Sequence, residues 1–193
     1  MHVHKLSSAL TGYMDESARV RKGDACAYAL AAVLVDSAAQ DKVRDELLGL
    51  RGARQVVLHW RREHPDRQRR MAKVVAELPV TALAGVVLYN DGQHERARTR
   101  CLKTLLAELS RLEVDQVILE SRGAARDRRD RGVVTGLRVA GDLRRTVRVE
   151  WMGPREQELL WLPDIVAGAV TRWLDGQPEY FRLLADQVRM LDP

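Results

Sequence analysis

The chain has 193 residues, of which 46% are apolar and 31% are charged, and its formal net charge is +5. This composition excludes a disordered chain, and the length suits a single domain over residues 1–193. No apolar run approaches the roughly 20 residues of a membrane span, and the opening stretch MHVHKLSSAL contains no apolar signal region. We therefore expect a cytoplasmic protein with no membrane partner, whose positive charge permits a polyanionic one.

The first two predicted elements form a β-hairpin. Residues 9–16 are predicted as a strand, and residues 25–36 (ACAYALAAVLVD) as a second strand that is buried on both faces. The link SARVRKGD is short and polar, so it fits a hairpin and not a helical crossover. Cys26 and Cys101 both lie in apolar segments, and we expect them to be buried and reduced.

The rest of the chain alternates between helical and extended patterns. Helices are predicted over 37–50, 64–78, 93–112, 156–174 and 177–191. Strands are predicted over 54–60 (RQVVLHW), 80–90, 114–122 and 144–152. The charged segment GAARDRRDRG at 123–132 fits either a loop or an exposed helical turn. This order of elements predicts one α/β domain.

Three carboxylates interrupt apolar segments, namely Asp15, Glu120 and Asp164. Asp164 lies in WLPDIVAGAV, where a carboxylate is costly unless it caps the helix, is paired or binds a metal. Asp15 and Glu120 each end a strand, which by itself indicates no more than entry into solvent. If the two strands pair in parallel, however, both side chains lie at one sheet edge, and a later helix can bring Asp164 across it.

Carboxylates grouped in this way suit hard divalent cations, because Mg²⁺ and Mn²⁺ prefer oxygen ligands. Two such ions about 4 Å apart can activate a water and stabilise the leaving oxygen in phosphodiester hydrolysis.

The segments YMDES, YALAAVLVD, VILESR and LPDIVAGAV occur in this order between about residues 12 and 175. They resemble the family called domain of unknown function 3800, whose members are similar to the ribonuclease H-like superfamily. The resemblance implies a mixed sheet with antiparallel strands 1–3, a parallel fourth strand beside the first, flanking helices, and an acidic metal site that cuts nucleic acid. It matches Asp15 to the first-strand aspartate, Glu120 to the fourth-strand carboxylate and Asp164 to that of the last helix.

One assignment within this resemblance conflicts with the superfamily pattern. We favour RQVVLHW as the third core strand and residues 80–90 as the fourth, which places Glu120 on a fifth strand after an additional helix–strand unit. The alternative is that residues 80–90 form the third core strand and that RQVVLHW is additional or not a strand.

Several residues are candidates for supporting roles. Glu16 follows Asp15 and should point to the opposite face of the strand. His59 either approaches the site or makes a local hydrogen bond, while Asp127 and Asp130 are either partners of the site or counter-ions of arginines. We expect the tryptophans to pack in the core or at its edge, and Trp60 is the one to test for base stacking.

Two arginine-rich segments are candidates for contacting phosphates, the alternative being a solvated charged face. The candidate nucleic-acid-binding residues are Arg61, Arg62, Arg122, Arg126, Arg128 and Arg129.

The leading hypothesis is a metal-dependent nuclease that uses magnesium or manganese. A PIN-like ribonuclease would also group acids at strand ends, but it requires a helix between the first two strands. A third possibility is a catalytically inactive ribonuclease H-like protein that binds nucleic acid or a partner in a defence or mobile-element system.

Overall fold

A mixed six-stranded sheet forms the centre of the structure, a computed structural model that describes residues 9–19, 26–90 and 92–193. The strands are β1 (Leu10–Arg19), β2 (Cys26–Asp36), β3 (Thr81–Tyr89), β4 (Gln116–Glu120), β5 (Arg148–Met152) and β6 (Val188–Leu191). They lie in the order β5-β4-β1-β2-β3-β6.

The antiparallel half of the sheet is the predicted hairpin with β3 added to it. β1 pairs with β2 from Leu10 opposite Asp36 to Arg19 opposite Ala27, and β2 pairs with β3 in the same antiparallel sense. Residues 20–24 of the link, and residue 25 of the predicted second strand, lie outside the described residues. A crossover helix joins parallel strands, whereas β1 and β2 pair antiparallel throughout their described lengths, so the PIN-like alternative is wrong. All but the last residue of β2 are buried, as its apolar sequence predicts.

The parallel half of the sheet places the second predicted acid beside the first. β4 pairs in parallel with β1, from Thr11 opposite Gln116 to Met14 opposite Leu119, and β5 pairs in parallel with β4. The last strand, β6, adds in parallel to β3 at the far edge. The strand that ends at Glu120 is therefore the direct neighbour of the strand that carries Asp15.

Helices cover both faces of the sheet. They are α1 (Gln40–Gly49), α2 (Pro65–Glu77), α3 (His94–Arg111), α4 (Ala124–Ala140), α5 (Trp161–Leu174) and α6 (Glu179–Leu184). On the face that includes Tyr13 and Val33, the sheet packs against α1, α2, α5 and α6. On the face that includes Met14 and Tyr28, it packs against α3 and α4. None of the helices within these ranges is both long and apolar enough to cross a membrane.

The predicted strand RQVVLHW is wrong. Residues 54–59 have no regular structure and lead into a 3₁₀ turn, Trp60–Arg62. The alternation in the sequence arises because Leu58 and Trp60 insert into the core, whereas Val56 is exposed. β3 is therefore the third core strand and Glu120 ends the fourth, which removes the conflict with the superfamily pattern.

Two further segments differ from their predictions. GAARDRRDRG is neither a loop nor a single turn but the beginning of α4, a helix of 17 residues. The last predicted helix, 177–191, is two elements, because α6 ends at Leu184 and the chain then turns back as β6. Cys26 and Cys101 are buried free thiols, as expected.

Candidate functional site

Asp15, Glu120 and Asp164 approach one another at the C-terminal end of β4. The β1–β4 pairing ends with Met14 opposite Leu119, so Asp15 and Glu120 are the next residues of the two strands. Asp164 lies in the first turn of α5, which packs along β1 and β2. Asp15 and Asp164 are buried, and Glu120 is partly buried.

The proximity of the three acids affects their protonation. Burial, and then the charges of Glu120, Asp164 and Glu16, raise the pKa of Asp15 well above its ordinary value. Burial and the charges of Asp164 and Glu16 likewise raise the pKa of Glu120, although a hydrogen bond with Asp15 opposes this. Like charges confined to a site of low polarity destabilise each other's ionised forms, and a bound cation removes that cost.

Asp164 is held by the segment that precedes α2. Its Oδ2 accepts a hydrogen bond of 2.7 Å from the Trp60 backbone N–H and lies 3.1 Å from His59 Nδ1. The hydrogen bond between His59 and Asp164 is the largest cause of the raised pKa of His59. The alternative that Asp164 caps its own helix is wrong, because the N-cap residue of α5 is Leu160 and Asp164 is the fourth residue of the helix.

A glycine makes this arrangement possible. The indole ring of Trp60 lies directly against Gly168 of α5, where an added Cβ would stand only 2.2 Å from the ring atom Cδ1. A larger residue would push the indole away from α5, and the Trp60 N–H would move away from Asp164 with it. The indole is also almost wholly buried, which confirms that Trp60 is a core residue and excludes it as a base-stacking platform.

The chemistry of the three side chains fits a divalent cation. All three offer carboxylate oxygens, and within the described ranges no lysine or arginine forms an ion pair with any of them. Their geometry is less complete, since no group of three or more His, Cys, Asp and Glu side chains in the described part of the chain is arranged to hold an ion.

The other acidic candidates lie elsewhere. Glu16 points away from Asp15 and forms an ion pair of 2.7 Å with Arg98 on the α3 and α4 side of the sheet. Asp130 is the counter-ion of Arg98 and Arg122, at 2.7 and 3.3 Å. Asp127 accepts hydrogen bonds from the Ser121 hydroxyl and the Arg122 backbone N–H, which fixes the chain between β4 and α4.

The candidate nucleic-acid-binding arginines divide into two groups. Arg122 is wrong as a free phosphate ligand, because its side chain is buried and paired with Glu95 and Asp130. Arg61 is exposed, and it donates hydrogen bonds to the Ala18 carbonyl and the Ser17 hydroxyl. The remaining candidates are exposed to solvent: Arg62, Arg126, Arg128 and Arg129.

A cationic recess beside the acids was not predicted from the sequence. It has a volume of about 530 Å³, and Arg19, Arg61 and Arg172 contribute to its lining. The recess lies between β1 and α5, beyond Asp15 and Asp164 along the two elements, where Ser17 contacts Thr171 and Arg19 pairs with Asp175. The sequence signal was the spacing, since Asp15, Ser17 and Arg19 alternate along one face of a strand.

No protein-family model and no curated protein matches the sequence. Among solved structures, the ribonuclease H2 from Pyrococcus horikoshii OT3 is similar with a TM-score of 0.51 and 13% identity, over 93% of this chain and 81% of that one. The fold is ribonuclease H-like.

Two further structures are similar to this chain. The RNase HII of Archaeoglobus fulgidus, in its complex with PCNA, has a TM-score of 0.49 and 17% identity over 92% of this chain and 77% of that one. Bst-RNase HIII in complex with Mn²⁺ has a TM-score of 0.47 and 18% identity over 95% of this chain, which spans 55% of the length of that enzyme. The fold rests on the Pyrococcus horikoshii structure, whose identity of 13% shows the fold alone, and membership of the domain of unknown function 3800 family stays a prediction.

Proposed function

We propose that the protein is a nuclease that hydrolyses phosphodiester bonds of nucleic acid with Mg²⁺ or Mn²⁺ held by Asp15, Glu120 and Asp164. The observation that carries the proposal is the meeting of these acids at one end of a ribonuclease H-like sheet, with no lysine or arginine of the described residues paired to them. The resemblance of the sequence motifs to the domain of unknown function 3800 family, which stays a prediction, implies the same activity.

The groups around the site have separate roles in this proposal. The Trp60 backbone N–H and the His59 side chain orient Asp164, and the Glu16 backbone N–H, which donates to Asp15 Oδ1 at 2.7 Å, orients Asp15. A divalent cation bound there would supply an activated water for attack and would neutralise the negative charge that develops on the phosphoryl and leaving oxygens. Asp164 raises the pKa of His59, so the His59 ring is a candidate to carry a proton near the site.

Nucleic acid would be held by the positive groups on either side of the acids. The recess has Arg61 and Arg172 in its lining on the α5 side, and the beginning of α4 has exposed arginines just after Glu120. Such groups neutralise backbone phosphates without reading sequence.

Cleavage assays with matched variants test this function. We expect wild-type protein to cut labelled single-stranded DNA, single-stranded RNA or an RNA–DNA hybrid with Mg²⁺ or Mn²⁺, and not with EDTA. Asp15→Asn and Asp164→Asn should each lower the rate by roughly a hundredfold or more, since metal ligands contribute several kcal/mol to such reactions. Asp66→Asn, a change of the same kind at an exposed position on α2, should leave the rate unaltered. If all three variants cut as wild type does, these acids are not the site.

The absence of a closely arranged three-ligand group in the described residues favours a second candidate function. In that case the protein is an inactive ribonuclease H-like subunit that binds nucleic acid or a partner. It would then bind nucleic acid with strong salt dependence but would neither cut it nor bind Mn²⁺ at these acids.

A further inference from the structure

A buried ionic cluster lies directly behind the acids, on the opposite face of the sheet. Its centre is Arg98 of α3, which is 1% exposed. Arg98 donates to Glu16 of β1 and to the Tyr28 hydroxyl of β2 at 2.7 and 2.8 Å. Its Nε and Nη2 bind both oxygens of Asp130 of α4, at 3.0 and 2.7 Å. We call these residues, together with Arg122 and Glu95, the Arg98 cluster.

The Arg98 cluster joins β1 to the chain that follows β4, at the point where the pairing of these two strands ends. The backbone ladder between β1 and β4 stops at Met14 and Leu119. Glu16 lies two residues beyond the ladder on β1, and Arg122 lies three residues beyond it on the chain that leaves β4. Arg98 binds Glu16 and Asp130, while Arg122 binds Asp130 and lies 3.7 Å from Glu16. Side chains thus continue the connection that the backbone does not make.

A connection is needed there because the neighbouring acids repel each other. Asp15 is the residue before Glu16, and Glu120 is two residues before Arg122. When both are ionised, their repulsion acts to separate the ends of β1 and β4. Stability alone gives little reason for so many buried charges, because apolar residues of similar volume commonly replace a buried ion pair at no cost. The specific gain is the fixed spacing of the two strand ends.

We propose that the Arg98 cluster is a positioning device that holds Asp15 and Glu120 side by side so that both can bind one cation. It rests on the proposed function for its purpose, but the mechanical role is independent of it. Arg98, Asp130 and Arg122 contact neither the cation nor nucleic acid, and they act through the strands to which they are tied.

The variant that tests this is Arg98→Met/Asp130→Leu. Replacing both partners with apolar residues removes the bidentate ion pair without leaving either of its own charges unpaired, and Glu16 keeps Arg122 at 3.7 Å as its remaining cation. One positive and one negative charge are removed together, so the net charge near the acids does not change. Arg98→Met alone is a useful second variant, because the loss of a positive charge by itself strengthens cation binding, whereas loss of positioning weakens it.

Two measurements separate the role of the Arg98 cluster from nuclease activity. In the metal-free protein, hydrogen exchange at the Glu16 and Arg122 amides should be about tenfold faster in the double variant, since these residues lie beyond the backbone ladder between β1 and β4. The Mn²⁺ dissociation constant should rise about tenfold, as is typical when a group that orients a metal ligand is lost. The control is Arg189→Met/Glu108→Leu, which removes an ion pair between β6 and α3, and it should change neither quantity.

Each result has a defined meaning. Unchanged exchange at both amides in a folded double variant overturns the proposal, and so does a Mn²⁺ dissociation constant equal to that of wild type. An Arg98→Met protein that binds Mn²⁺ more tightly than wild type also overturns it. If wild type binds no Mn²⁺ while the exchange rates rise as expected, the proposed function fails and the role of the cluster in holding the strand ends is supported.

Discussion

Gly168→Ala is the substitution that tests most severely how Asp164 is held. A Cβ at Gly168 would lie 2.2 Å from Trp60 Cδ1 and 2.4 Å from Cγ. These atoms belong to a rigid ring that also packs edge-on against Tyr180, with ring centres 5.2 Å apart. Both atoms lie at the base of the ring, where rotation about the side-chain bonds moves them little, so either Trp60 or α5 must move. Movement of Trp60 breaks the 2.7 Å hydrogen bond from its backbone N–H to Asp164.

The magnitude follows from three contributions. Overpacking a buried position costs roughly 1–3 kcal/mol, and losing a hydrogen bond to a charged group costs about 1.5–3 kcal/mol. Alanine in a helix interior returns about 0.5–1 kcal/mol relative to glycine. The free energy of unfolding should therefore fall by roughly 3 kcal/mol, which lowers the melting temperature by about 6–12 °C in a chain of this size.

Gly136→Ala supplies the matched control. Gly136 lies within α4, and a Cβ there meets nothing within 4 Å. This variant should be more stable than wild type by about 0.5–1 kcal/mol. Urea unfolding followed by circular dichroism, with EDTA present, measures both changes. A Gly168→Ala protein as stable as Gly136→Ala would refute the close packing of Trp60 on α5.

Three further predictions concern charge. Asp15→Asn should stabilise the metal-free protein at about pH 8 but not at about pH 4, because the raised pKa of Asp15 gives stability at low pH that is lost as the pH rises through the folded-state value. Urea unfolding at both pH values checks this, and equal stability of the two proteins at the higher pH contradicts it. Asp164→Asn should lower the pKa of His59 toward its ordinary value, because its hydrogen bond to Asp164 is the main cause of the rise; an NMR titration in which the midpoint does not move contradicts their pairing. Three exposed arginines of α4 are to be replaced together by glutamine: Arg126, Arg128 and Arg129. The triple variant should bind single-stranded nucleic acid more weakly in EDTA, and the slope of log affinity against log salt should fall by about 2, whereas Arg148→Gln at the start of β5 should leave the slope unchanged. Anisotropy titrations measure the slopes, and a triple variant with the wild-type slope shows that these arginines do not contact phosphate.

The parts of the structure that the sequence predicted are those set by local pattern. The hairpin followed from a short polar link between two apolar runs, and its strands pair antiparallel as expected. The grouping of Asp15 with Glu120 followed from the geometry of parallel strands that end at one edge. Glu16 faces the opposite side because side chains alternate along a strand.

The errors occurred where long-range partners outweigh local pattern. RQVVLHW alternates like a strand, but its buried residues pack into the helical layer instead of the sheet. The beginning of α4 is too charged to show an apolar face, because two of its buried positions are Asp127 and Asp130. Asp130 is neutralised by Arg98, 32 residues away. Arg122 is likewise paired with Glu95, 27 residues away, and local pattern does not show this pairing.

The most direct test of the metal site is a crystal structure of the wild-type protein soaked in Mn²⁺, with an anomalous difference map. We predict one or two peaks bonded to oxygens of Asp15, Glu120 and Asp164, at the metal–oxygen distances of about 2.0–2.2 Å that small divalent cations adopt. A map with Mn²⁺ peaks elsewhere and none bonded to any of these three carboxylates would contradict the central claim.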